Sequence, residues 1–245
     1  MDAQHDEQYF LEELVRLFDP DRIYRQFGGF GEEAFVEELQ QYYERIDPED
    51  KRAFEQAVRL WLWSGDELRQ MQAIRLCGDL RLKGCVGDLL RLGETLRRES
   101  PDHEDLNWVV QALGQIGDTR ALDFLTKEAI EGEYRNGALV SISEIDRARA
   151  LQLMPTVVED RYQTDRNPVL TEWLFSAFLD VHQGRIAWQL GVALRHFPDK
   201  EYLLEQFRKA VRAAGYDASG KWLGKRDKRR LLEEFRQGLE QQSAK

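Results

Sequence analysis

Apolar residues recur at three- and four-residue spacing along the whole chain, and strict alternation over strand lengths is nearly absent, which predicts an all-α protein. The pattern divides into helices at about 6–18, 32–46, 50–63, 66–80, 84–98, 103–116, 120–131, 136–146, 148–162, 168–182, 185–196, 199–214 and 227–241. Pro48, Pro101, Pro168 and Pro198 fall in the gaps, and Asp47-Pro48-Glu49-Asp50 offers a capping residue and a first-turn proline to the third helix. Pro155 falls inside the 148–162 segment, where its ring and missing N–H predict a kink or a later start.

The helices are also periodic among themselves. An apolar residue is followed three positions later by another, and five after that by a small or apolar one. The sets are Cys77/Leu80/Cys85, Leu113/Ile116/Ala121, Ile142/Ile145/Ala150 and Phe178/Val181/Ile186, with successive offsets of 36, 29 and 36 residues. Each interval is the length of one helical hairpin. A single hairpin is too small to bury its own apolar face, so neighbouring copies must stack to share a core.

The clearest copy, Leu113-Gly114-Gln115-Ile116-Gly117-Asp118-Thr119-Arg120-Ala121-Leu122-Asp123-Phe124-Leu125, resembles the HEAT-like repeat of the phycobilisome-lyase type. In that family a first helix ends in a Leu-Gly-x-Ile-Gly-Asp turn and a second begins at the Arg-Ala pair. The resemblance implies an α-solenoid of stacked antiparallel helix pairs forming one domain over 1–245, with repeats at 50–198 and helical caps at 1–49 and 199–245. It implies little about function, because such solenoids serve scaffolds, adaptors, inhibitors and a few enzymes.

Composition narrows the class. Two cysteines among 245 residues make no disulfide framework, and with 33% charged residues no uninterrupted membrane-spanning run survives. Cys77 and Cys85 read as packed free thiols, and the acidic start Met1-Asp2-Ala3-Gln4-His5-Asp6-Glu7 lacks the basic lead of an export signal; the expectation is a cytoplasmic protein. The net charge of −10 conceals a gradient: residues 1–50 sum to −11, residues 51–199 to −4 and residues 200–245 to +5. An acidic body disfavours nucleic acid over the whole surface and favours a basic protein partner for the N-terminal half, although the gradient also serves solubility.

Candidate sites follow from the repeat and from the charge. Arg120, Arg149 and Arg185 hold one place in three successive copies, so stacking sets their guanidinium groups in a row. Such a row either grips the carboxylates or phosphates of a partner or pairs with local acids such as Asp118 and Asp146. Glu32, Glu33, Glu37 and Glu38 form a negative strip on the second helix, and Lys225, Arg226, Lys228, Arg229 and Arg230 a basic cluster opening the last. Trp108 and Trp173 each open a first helix eight residues before its anchor; of the six tryptophans most are expected in the core, and any that reach the surface would suit an interface.

Catalytic readings fare less well. HEAT-like DNA glycosylases work with Trp and Asp in a groove, yet Trp108 is followed four positions on by Ala112. Deoxyhypusine hydroxylase needs several His-Glu pairs for two irons, and this chain has His103-Glu104 alone among its four histidines, so no metal or cofactor is expected. Gly215 to Lys221 has the spacing of a phosphate loop, but Trp222 replaces the magnesium-binding hydroxyl and a helix precedes it. Gly28-Gly29-Phe30-Gly31 reads as a hairpin between helices. The reading that remains is a non-enzymatic scaffold or adaptor holding a protein in its groove. The alternatives are an inhibitor or immunity-type protein masking a basic toxin or nuclease and, third, an enzyme or chaperone of the bilin-lyase kind.

Overall fold

The structure, a computed structural model, describes residues 5–19, 22, 32–164, 168–182, 186–214 and 224–241. The hairpin at Gly28–Gly31, the phosphate-loop-like stretch 215–222 and Arg185 lie outside the described residues. Among the described residues every regular element is a helix: α1 Glu7–Leu17, α2 Glu32–Arg45, α3 Lys51–Leu62, α4 Glu67–Asp79, α5 Val86–Glu99, α6 Glu104–Ile116, α7 Leu122–Glu131, α8 Arg135–Ile145, α9 Arg147–Thr164, α10 Pro168–Val181, α11 Ala187–Ala193, α12 Lys200–Ala213 and α13 Lys225–Glu240. The periodicity located each of them. Single 3₁₀ turns, Lys83–Cys85 and Thr119–Ala121, lead into α5 and α7.

Several boundaries follow from local chemistry. Asp6, Asp66 and Asp199 cap α1, α4 and α12 by accepting the backbone N–H of the residue three places on, at 2.9, 3.0 and 2.9 Å. The start of α3 departs from expectation. It opens after Asp50 and not at Pro48: residues 48–50 form a turn, and Asp50 is already helical in backbone, its carboxylate meeting His5 through the backbone N–H at 3.2 Å and Nδ1 at 2.8 Å. That contact fastens the chain ahead of α1 to the start of α3. Pro155 neither stops α9 nor delays it: the helix runs on through the proline.

The chain divides into two compact units, Met1–Ala121 and Leu122–Lys245. In the first, α1 packs on α3, α3 on α4, α5 on α6, and α4 on α6 two places along. The two N-terminal helices attach through aromatic rings: Phe10 meets Phe54 edge-on at 5.7 Å, Tyr43 meets Phe54 at 5.3 Å and Phe18 meets Phe35 at 5.3 Å. In the second unit α7 packs on α8, α8 on α9, α9 on α10 and α12 on α13, and helices two places apart meet as well, α7 on α9, α9 on α11 and α11 on α13, with α8 on α10 and α10 on α12. Phe175, Phe207 and Phe235 join α10, α12 and α13, with the last two rings stacked at 4.0 Å.

The copies repeat in backbone as well as in pattern. Arg81 and Gly117, 36 residues apart, are both left-handed, at φ 52° and 73°, and each stands between a helix and a 3₁₀ turn. The third copy differs: Asp146 is extended and α9 begins directly after it. Close helix contacts need missing side chains. A β-carbon on Gly191 of α11 would lie 2.2 Å from the Phe235 carbonyl oxygen of α13, and one on Gly238 would lie 2.3 Å from that of Trp188.

A left-handed arginine carries strain of about 1 kcal/mol or more that glycine does not. Arg81→Gly is therefore expected to raise stability in urea denaturation by about 1 kcal/mol, and Gly117→Ala to lower it by a similar amount. Overlap with backbone has no flexible side chain to yield, so Gly191→Ala and Gly238→Ala should each lower stability by about 1–3 kcal/mol or more in the same assay.

Candidate functional site

The arginine row is engaged within the chain where it is described. Asp118 accepts the Arg120 backbone N–H at 2.9 Å and its side chain twice, from Nε at 3.0 Å and Nη2 at 2.7 Å. Nη2 also donates to the Lys83 carbonyl at 3.0 Å, tying the second copy's turn to that of the first. Arg149 repeats the arrangement in the second unit: its N–H caps onto Asp146 at 3.0 Å, and its side chain reaches Asp123 of α7 at 3.3 Å. Hydrogen bonds from Arg120 hold the Asp118 carboxyl down at about 2.

The acidic strip is divided. Glu32 and Glu33 lie in α2, with side chains outside the described residues. Glu38 is half-buried and accepts Arg22 Nη2 at 2.5 Å, whereas Glu37 is exposed and accepts Gln41 at 3.2 Å. The basic cluster opens α13, with Lys225, Arg226, Arg229 and Arg230 exposed; Arg230 lies 3.7 Å from Glu234, and Lys228 donates to the Arg212 carbonyl at 2.9 Å.

A concave site forms in the first unit where α2, α4 and α6 meet. It has a volume of about 410 Å³, with Val36, Glu37 and Gln40 from α2, Arg75 and Asp79 from α4, and Trp108, Gln111, Ala112 and Gln115 from α6. Gly78 lets the walls approach: a β-carbon there would lie 3.0 Å from the Ala112 α-carbon and 2.1 Å from Gln115 Oε1. Gln40 ties α2 across the C-terminal end of α4 by donating to the Asp79 carbonyl at 3.1 Å. The Arg75 guanidinium lies over the Trp108 ring, 5.4 Å from its centroid, and fixes the indole as a wall. Burial pushes the Asp79 carboxyl above its ordinary value, against the pull of the Arg75 charge.

Sequence reasoning looked for a carboxylate on the helix of Trp108 and found alanine at position 112. The structure supplies one from α4 instead. Gln111 and Gln115 follow Arg75 and Asp79 by 36 residues, so the polar wall is one pair of positions used in two successive copies. That register was the available signal. Among the described residues no three His, Cys, Asp or Glu side chains cluster to hold a metal, and no helix is long and apolar enough to cross a membrane.

Tryptophan placement also departs from expectation. Trp61 is buried and Trp108 half-buried, but Trp63, Trp173 and Trp188 are 46, 49 and 45% exposed; Trp222 lies outside the described residues. Trp63 is nonetheless fixed, donating to buried Asp88 at 3.2 Å beneath the Arg91 guanidinium. Burial alone would raise the Asp88 carboxyl, yet donors from Arg59, Arg91 and Trp63 outweigh it and hold it below the ordinary range. Comparison with protein-family profiles, curated proteins and solved structures finds no match.

Because Asp118 is depressed in the folded state, its contribution to stability is complete above the ordinary carboxylate pKa of about 3.9 and lost as pH falls through about 2. Asp118→Asn should therefore be less stable than the parent at pH 5, with the gap closing towards pH 2, as measured by thermal unfolding across that range.

Proposed function

We propose that this chain is a non-enzymatic α-solenoid of stacked HEAT-like helix pairs, capped at both ends, which acts as a scaffold or adaptor for a protein partner. The architecture is supported by helix contacts two places along and by the matched turns around Arg81 and Gly117. The partner-binding reading rests on one observation above the rest, the cleft of α2, α4 and α6 with its half-buried indole beneath the Arg75 guanidinium. Rigid, partly exposed tryptophans lose little conformational freedom on association, which is why they dominate interface energetics. The exposed Trp63, held by Asp88, has the same character.

The alternative of an inhibitor that masks a basic protein draws on the two carboxylates of the same cleft, Glu37 and Asp79. Both readings use one surface and differ in how many partners it serves.

A photo-crosslinking amino acid at Gln111 tests the proposal in living cells, with one at exposed Lys127 as control. The expected result is a discrete adduct from position 111 and not from 127, identified by mass spectrometry and rebuilt from purified proteins. One partner favours inhibition and several favour a scaffold. Trp108→Ala should weaken the rebuilt complex by about 2 kcal/mol, roughly thirty-fold. Identical bands from both positions, or none from 111, would overturn the reading.

A further inference from the structure

Asp79 differs from the buried or half-buried Asp50, Asp88 and Asp118 of its unit in what surrounds it. Asp88 receives three donors, Asp118 is held by Arg120 and Asp50 by His5. No hydrogen-bond donor or ion-pair partner among the described residues meets the Asp79 carboxylate, although it is half-buried and lines the cleft. Arg75, one turn earlier in the same helix, attracts that carboxylate at longer range while its guanidinium lies over the Trp108 ring. A carboxylate withdrawn from water without a donor is destabilising, and a ligand carrying donors would remove that penalty.

The remaining walls indicate which donors. Glu37 adds a second carboxylate at the α2 side, and Gln111 and Gln115 bring uncharged side-chain amides from α6. Among the described lining residues the only full positive charge, Arg75, lies over the indole beside two carboxylates, which disfavours an anionic ligand, and an apolar ligand would leave Asp79 half-buried and unpaired as before. A volume near 410 Å³ lies in the range of small-ligand pockets, about 300–1,000 Å³, and takes one long side chain with room for water.

Resting on the partner-binding reading above, we infer that the cleft of α2, α4 and α6 receives an arginine side chain of the partner, its guanidinium paired with Asp79 and flanked by Glu37 and the Trp108 ring. A guanidinium fits better than an ammonium for geometric reasons. Its planar fork presents two parallel N–H groups to one carboxylate, it stacks against indole, and it sheds water more readily.

Three blocked tripeptides, Gly-Arg-Gly, Gly-Lys-Gly and Gly-citrulline-Gly, serve as probes of the full-length chain, followed through the indole N–H resonance of Trp108. The arginine peptide should shift that resonance saturably. Citrulline, which keeps the shape and loses the charge, should bind at least ten-fold more weakly, and lysine several-fold more weakly. Asp79→Asn should abolish the difference between arginine and citrulline. Glu37→Gln, an exposed change that leaves the fold alone, should weaken arginine two- to five-fold and keeps the test valid if the Asp79 variant fails to fold. Equal binding of arginine and citrulline, lysine as tight as arginine, or full arginine preference in folded Asp79→Asn would overturn the assignment.

The two readings fail separately. An adduct at position 111 that persists undiminished in Asp79→Asn leaves a protein-binding cleft and removes its arginine. Arginine binding that depends on Asp79, with no adduct, upholds the guanidinium site and removes the protein partner.

Discussion

Short amphipathic helices cannot hide their apolar faces in pairs, so the contact that holds each unit together is the approach of a helix to the one two places along. Where that approach is closest, side chains have been removed to permit it. Gly191 and Gly238 bring α11 and α13 within backbone contact, and Gly78 does the same for α4 and α6. The consequence reaches beyond stability. In the second unit close packing supports the stacked Phe207 and Phe235 rings and thereby the helix that carries the basic cluster. In the first it sets the separation of the cleft walls.

The turns show how a residue that looks functional becomes architectural. Arg120 has the exposure and the charge of a ligand-binding group, but its guanidinium lies between the Asp118 carboxylate of its own turn and the Lys83 carbonyl of the preceding one. Copies of a hairpin must keep a fixed offset if their faces are to meet. A charged side chain reaching back by one copy fixes that offset at the surface, where an apolar contact would be exposed. Arg149, bonded to Asp123 of α7, does the same with a different acceptor.

Much of the fold was legible because it depends on single-helix properties. Apolar spacing placed all of the described helices. What escaped depends on pairs of helices. Pro155 promises a break when α9 is considered alone, yet the helix runs on while α7, α8 and α11 pack against it. Asp47 and Pro48 promise a helix start, yet residues 48–50 form a turn and α3 begins at Lys51, beside the contact that His5 makes with Asp50 from forty-five residues upstream. Asp79 carries no motif at all, and it becomes notable only when α6 brings an indole and α2 a second carboxylate to it.

The cleft shows how repetition yields a concave, chemically varied surface without any loss of packing. In α4 the stripe at positions 75 and 79 faces away from the buried Ala73, Ile74, Leu76 and Cys77, and in α6 positions 111 and 115 stand beside buried Val109, Val110, Leu113 and Ile116. The apolar positions are constrained by stacking, whereas the intervening polar ones are open to any residue that water tolerates. Two copies in register then place four such positions on neighbouring helices, and the choice of arginine and aspartate in one copy and glutamine in the next sets the local chemistry. Substitution along this stripe changes the chemistry of the cleft alone, while the glycines and turn arginines stay fixed because the spacing of the helices depends on them.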